Sequence, residues 1–230
     1  MIGFPSNRSR PGAIFDILMV MALIPVAAWL GSVTGFILLG PLTTLLMVAL
    51  ATLLLRRNGQ DWRAMGLGKL PHWKKLLLGV IGAYVAVMLV VAVVLTPALE
   101  AAGLGTPDIS VFRAIEGNFP LLIMWLVISW VVGGFAEEML ARGFLLNRFA
   151  DLFGGGKSAF YLAVIAQAAL FGLAHGYQGL AGIILTGGVG AILGLVYVLT
   201  GRSLWPVIIT HGLIDSISFV SLYLGAGHAG

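Results

Sequence analysis

The sequence predicts an all-α protein, a polytopic membrane helical bundle of about seven transmembrane helices with its N-terminus inside. Three observations predict it. Sixty per cent of the 230 residues are apolar and ten per cent are charged, against about 25% charged in a soluble domain. Apolar runs repeatedly reach the roughly 20 residues that cross a bilayer as helix. The alternating segments of about ten residues that a transmembrane β-barrel needs do not occur.

The first span, residues 13–30, follows Arg8 and Arg10. Its apolar stretch is longer than the roughly 7–15 residues of a signal-peptide core, and a second span follows the tight Gly31-Ser32 turn, so it is expected to be retained. The second span covers 35–55. The basic loop 56–75 comes next; its Trp62 and Trp73 suit the headgroup layer, and it reads as a plain topology determinant. The remaining spans are 76–99, 119–139 (continuing as helix beyond), 159–174, 180–199 and 204–223. No linker separates independent domains. Residues 1–118 form three N-terminal helices with the basic loop and 119–230 form a helical core, in one integrated membrane domain.

Basic residues orient the bundle. With the N-terminus inside, Arg8, Arg10, Arg56, Arg57, Arg63, Lys69, Lys74, Lys75, Arg148, Lys157 and Arg202 are cytoplasmic, and only Arg113 falls outside, in a loop with Glu100, Asp108 and Glu116. The tail 225–230 is then outside. The net charge of +4 follows from this topology and does not point to nucleic acid. The chain has no cysteine, which excludes disulfides, a thiolate nucleophile and zinc–thiolate sites.

Three polar motifs interrupt the apolar second half: Glu137-Glu138-x-x-x-Arg142, Phe171-x-x-x-His175 and His211-x-x-x-Asp215. Ionisable groups inside membrane helices are costly and mark function. Glu138 and Arg142 are spaced i, i+4 with the acid first, the favourable order for a pair. Glu137 points about 100° away on an α-helix, so it is expected to stay available for chemistry. His211 and Asp215 lie one turn apart, so the acid could orient the imidazole or share a metal with it. Phe171 reads as wall or packing. His72, in a loop, and His228, in the tail, read as solvated.

These groups can meet. Glu137 and His175 are about 18 and 20 residues from the Gly154-Gly155-Gly156 turn, so an antiparallel hairpin sets them opposite each other. Measured from Arg202 and Lys157, His211 and His175 differ in depth by about 14 Å, which a hairpin projecting that far into the cytoplasm reconciles. The site would be intramembrane, nearer the cytoplasm. Gly156-Lys157-Ser158 is not a phosphate-binding loop, because Asp151 stands where glycine is needed and no strand precedes it. Gly190-x-x-x-Gly194 reads as close helix packing.

The three motifs, in this order on apolar helices, resemble the CAAX prenyl endopeptidase and bacteriocin-processing family of intramembrane proteases (the CPBP or Abi family). The resemblance covers residues 121–219 and extends to Arg142-Gly143-Phe144, to the residues from Phe171 to His175, and to Ser203-Leu204-Trp205 through His211. It implies hydrolysis of a peptide bond in a membrane-associated or prenylated protein or peptide. Glu137 and His175 would activate water; His211 and Asp215 would stabilise the oxyanion, with Glu138, Arg142 and Phe171 in support. The better-known relatives carry asparagine where Asp215 stands. An aspartate donates to an oxyanion only when protonated, or it orients His211 instead.

Glu137, His175, His211 and Asp215 are also a plausible zinc set with an open water position, so zinc is a possible cofactor, although metal-free glutamate chemistry is favoured. Two other classes stay open: a non-catalytic membrane partner, such as a bacteriocin-immunity-like protein, and a proton- or ion-coupled transporter. Transporters often show inverted repeats and broken helices, which do not occur here. The expected partners are a membrane-associated substrate and the lipid bilayer, with no nucleic acid. The expected location is a bacterial inner (cell) membrane.

Overall fold

The computed structural model describes residues 8–225; His228 and nearly all of the tail lie outside the described residues. Among these residues the chain is all helical, and seven helices are long and apolar enough to cross a membrane. They are α1 (Arg10–Thr34), α2 (Leu39–Arg57), α3 (Trp73–Ala101), α4 (Phe119–Leu152), α5 (Gly156–Ala174), α6 (Gly176–Leu199) and α7 (Leu204–Tyr223). Large apolar side chains such as Leu78, Val93 and Ile165 are about two-thirds exposed. So much apolar surface on every side fits a bilayer and not water.

Proline accounts for two irregularities. Helix α1 breaks at Ala22, three residues before Pro25, which has no N–H to give the preceding turn. In α3 a π-helical stretch, Val91–Leu95, precedes Pro97. Helix α4 is different. It passes through two π stretches, Ser129–Glu137 and Met139–Leu145, that flank Glu138, and no proline lies in either. The motif therefore sits on wide i→i+5 turns and not on the regular α-helix assumed from its spacing. Such turns recur at functional sites.

Close packing with α7 accompanies this distortion. A Cβ at Gly134 would lie 2.9 Å from the Ile208 carbonyl and 3.1 Å from the Gly212 nitrogen, so the two backbones touch. Trp130 covers Gly212 and donates from Nε1 to Ser216 Oγ at 3.0 Å. Small residues also join α5 to α6: Gly172 meets Gly187, Gly190 meets Phe171, and Gly194 meets Val164 and Gln167. The Gly190/Gly194 pair packs as its spacing predicts.

The loop after α2 is a built element and not only a topology determinant. Tyr197 donates its hydroxyl to the Met65 carbonyl (2.9 Å), Trp205 Nε1 donates to Gly68 O (3.0 Å), and Leu204 N donates to Gly66 O (3.0 Å). Trp62 is half-buried and donates to Thr52 Oγ1 at 2.9 Å; Trp73 is exposed. The loop is thus held beneath α4, α6 and α7.

At the same end Asp16 is fully buried. It receives Arg8 (3.0 and 3.2 Å), Asn58 (3.2 Å) and Arg148 (2.9 Å). Arg148 in turn reaches Asp151 (3.1 Å) and Gln60 (2.6 Å). This network ties α1 and the loop to the α4–α5 hairpin. Arg202, at the start of α7, bonds Asn147 (2.6 Å) and lies over the Phe160 ring, leaving the five residues to Leu152, about 8 Å, beyond it. Arg202 turns inward in a left-handed conformation (φ 64°), so it is a poor marker of the boundary.

The segment between α3 and α4 covers the other end. It contains a 3-10 turn, Ser110–Ile115, whose Phe112 packs edge-on against Trp125 and Phe219. Ser110 hydrogen bonds to Asp108, with a contribution from nearby Arg113, hold that carboxyl below its usual value.

Candidate active site

Glu138 is the hub. Fully buried, its Oε1 accepts from Arg142 Nη1 and from His211 Nδ1, both at 2.7 Å. Arg142 is also fully buried; its Nη2 donates to the Gly190 carbonyl (3.1 Å) and its guanidinium lies 4.6 Å above the Phe171 ring. The expected Glu138–Arg142 pair forms. The expected His211–Asp215 neighbours do face each other, but a second carboxylate takes Nδ1, which bonds Glu138. Asp215 instead faces Nε2 at 3.7 Å, within ion-pair range but too far for a hydrogen bond. The reason is tertiary, since α7 lies against the distorted turn that carries Glu138.

Glu137 is half-buried and makes no hydrogen bond or ion pair with the described residues. Its electrostatic neighbours are His211, Glu138 and Arg142. One glutamate is clamped and the other is available, as the spacing predicted. His175 is the residue on which α5 ends. Its Nδ1 lies 2.8 Å from the Phe171 carbonyl. A carbonyl only accepts, so Nδ1 carries the proton and the neutral ring presents a lone pair on Nε2. No bond joins His175 to Glu137. Both are within electrostatic range of Arg142 and His211, and His175 also of Asp215.

Phe171 does more than form a wall. It supports Arg142, accepts from His175, and directs its ring edge toward His211 at 6.1 Å between centroids. Other participants were not recognised in the sequence. Gln167, buried one turn before Phe171, donates to the same Gly190 carbonyl as Arg142 (2.9 Å). Its signal was present: a lone amide in an apolar helix at the spacing of Phe171 and His175. Gly133 faces the site, where an added Cβ would lie 2.5 Å from Asp215 Oδ2 and 3.9 Å from His211 Nε2. Nothing in the local sequence distinguishes it from a packing glycine. Asp16 was legible as a charge within an apolar span, though not its partners.

Among the described residues no group of three or more His, Asp and Glu side chains is placed to hold a metal. Both imidazole Nδ1 atoms are bonded, to the Phe171 carbonyl and to Glu138, contacts of the kind that orient a ligating imidazole, and neither Nε2 makes a hydrogen bond among the described residues.

Residues 119–217 match the family model described as Rce1-like, Type II CAAX prenyl endopeptidase. That stretch, somewhat less than half of the chain, is similar to this family. The Rce1-like region starts at the first residue of α4 and ends two residues after Asp215, so it holds all seven motif residues. No curated protein and no solved structure matches the chain. Its seven long apolar helices, together with this match, make the chain an integral membrane protein.

Proposed function

We propose that the chain is an intramembrane endopeptidase that hydrolyses a peptide bond in a membrane-associated protein or peptide, of the prenylated CAAX type named by the family that residues 119–217 match. The observation that carries this is the division of the two glutamates, Glu138 locked by Arg142 and His211, and Glu137 left unbonded beside them. Glu137 takes a proton from water while His175 Nε2 accepts a hydrogen bond from the same water and aims it. The hydroxyl oxygen attacks the scissile carbonyl, and Glu137 returns the proton to the leaving amine nitrogen. General-base groups of this kind contribute roughly 10²–10⁴-fold.

His211 gives Nδ1–H to Glu138, so it donates from Nε2 to the oxyanion only as imidazolium. The flanking carboxylates of Glu138 and Asp215 balance that charge. Asp215 thereby acts through His211 and needs no proton of its own. Loss of one oxyanion donor costs about 10²–10³ in kcat. The eleven cations that gather at one end favour an N-terminus inside.

The test is cleavage of prenylated and unprenylated peptides by protein purified into liposomes, with Glu137→Ala and His175→Ala in parallel and with and without a chelator. Loss of cleavage in both well-folded variants, with none caused by the chelator, is the expected result. Wild-type rates in either variant sink the assignment, and chelator sensitivity replaces the glutamate route with a metal one.

A further inference from the structure

Beyond His175 the chain makes one 3-10 turn, Gly176–Gln178, before α6 continues. Tyr177 sits on this turn, and about half of its surface is exposed. Its ring lies 5.9 Å from that of His175, tilted by 34°, and 6.5 Å from Phe112 of the covering segment. The Tyr177 hydroxyl accepts from Gln178 Nε2 at 3.0 Å, which uses an oxygen lone pair and leaves the O–H proton without an acceptor among the described residues. The Gln178 carbonyl accepts from Asp108 N at 2.9 Å, so the turn is pinned from the covering side as well. The result is an oriented, accessible phenol whose donor points from the rim of the site. The ring thus packs on one side against His175 and Phe112 and leaves its other side open beside the site.

We infer that Tyr177 is a substrate-binding residue, donating its phenol O–H to a main-chain carbonyl of the bound peptide next to the scissile bond. The inference rests on the endopeptidase reading and adds a recognition contact to it. A peptide spanning the site lays its backbone between the covering segment and α5, where an extended chain offers one carbonyl per residue. A neutral hydrogen bond made equally in the ground and transition states changes KM and leaves kcat alone.

The experiment uses the full chain in nanodiscs with two fluorescent probes, a farnesylated C-terminal peptide and an unprenylated apolar peptide. Tyr177→Phe keeps the ring against His175 and Phe112 and removes only the O–H. Its KM is expected to rise about three- to tenfold with kcat unchanged. In the inactive Glu137→Ala background, the Kd of the same probe rises by the same factor. A drop in kcat with Kd unchanged assigns the phenol to the chemical step and overturns the inference. Identical Kd values with and without the hydroxyl, or no binding of either probe, overturn it too. Absence of cleavage by wild type defeats the endopeptidase reading separately, because the Kd comparison does not depend on turnover.

Discussion

Replacing Asp16 by alanine removes the anion on which Arg8, Asn58 and Arg148 converge. Both Asp16 and Arg148 are fully buried, and their charged atoms are 2.9 Å apart. Breaking such a pair by deleting one partner costs roughly 3–5 kcal/mol, because the remaining charge stays buried. Here the lower end applies. Arg148 keeps Asp151 at 3.1 Å and Gln60 at 2.6 Å, and the Arg8 side chain is one-quarter exposed and can turn to solvent. A loss of about 3 kcal/mol in a chain of this size lowers the melting temperature by about 6–12 °C. Thermal unfolding of detergent-solubilised protein, followed by size-exclusion chromatography, measures it.

Arg148→Met alone is expected to be similarly harmful, since it leaves buried Asp16 with Asn58 and the one-quarter-exposed Arg8. The double variant Asp16→Ala/Arg148→Met is expected to lose less than the sum of the two single losses, because the Asp16–Arg148 pair is removed as a unit and methionine keeps apolar contact with Phe144. A melting temperature for Asp16→Ala within about 2 °C of wild type, or strictly additive losses in the double variant, would refute the reasoning.

Adjacent glycines in α4 separate site chemistry from packing. Gly133→Ala brings its methyl against the movable end of Asp215, so the melting temperature is expected to hold while kcat falls by at least tenfold; equal activity removes Asp215 from the mechanism. Gly134→Ala meets the backbone of α7 instead, and overpacking of that kind costs about 1–3 kcal/mol, visible as a lower melting temperature and poor recovery of folded protein. Arg142→Lys retains the charge but not the fork that joins Glu138 to the Gly190 carbonyl. The variant is expected to fold with lower stability and to lose most cleavage, with cleavage equal to wild type counting against the clamp on Glu138.

The helices were legible because membrane insertion is a local matter: length and apolarity within one segment decide it. All seven spans were recognised, and their ends shifted by the few residues that caps and prolines control. The chemistry was legible for a related reason. Charges are so costly in a bilayer that the groups at Glu137, Glu138, Arg142, His175, His211 and Asp215 stood out against the apolar background. The Glu138–Arg142 pair, one turn apart on one helix, needed no tertiary information.

Partnership across helices could not be read this way. Spacing set His211 beside Asp215, and the packed bundle adds a bond from its Nδ1 to Glu138, a residue 73 positions away. That outcome depends on backbone contact at Gly134 and on π turns, neither of which has a local signature. Gln167, Gly133 and the Gly190 carbonyl joined the site by the same route. Asp16, conspicuous as a charge, acquired its meaning only when α1 packed beside Arg148. The sequence by itself determined a membrane bundle and the inventory of reactive groups, because burial in lipid acts on each segment alone. Only the tertiary structure decided that His211 and the Gly190 carbonyl join the clamp around Glu138 and Arg142, because that depends on the close approach of α4, α6 and α7.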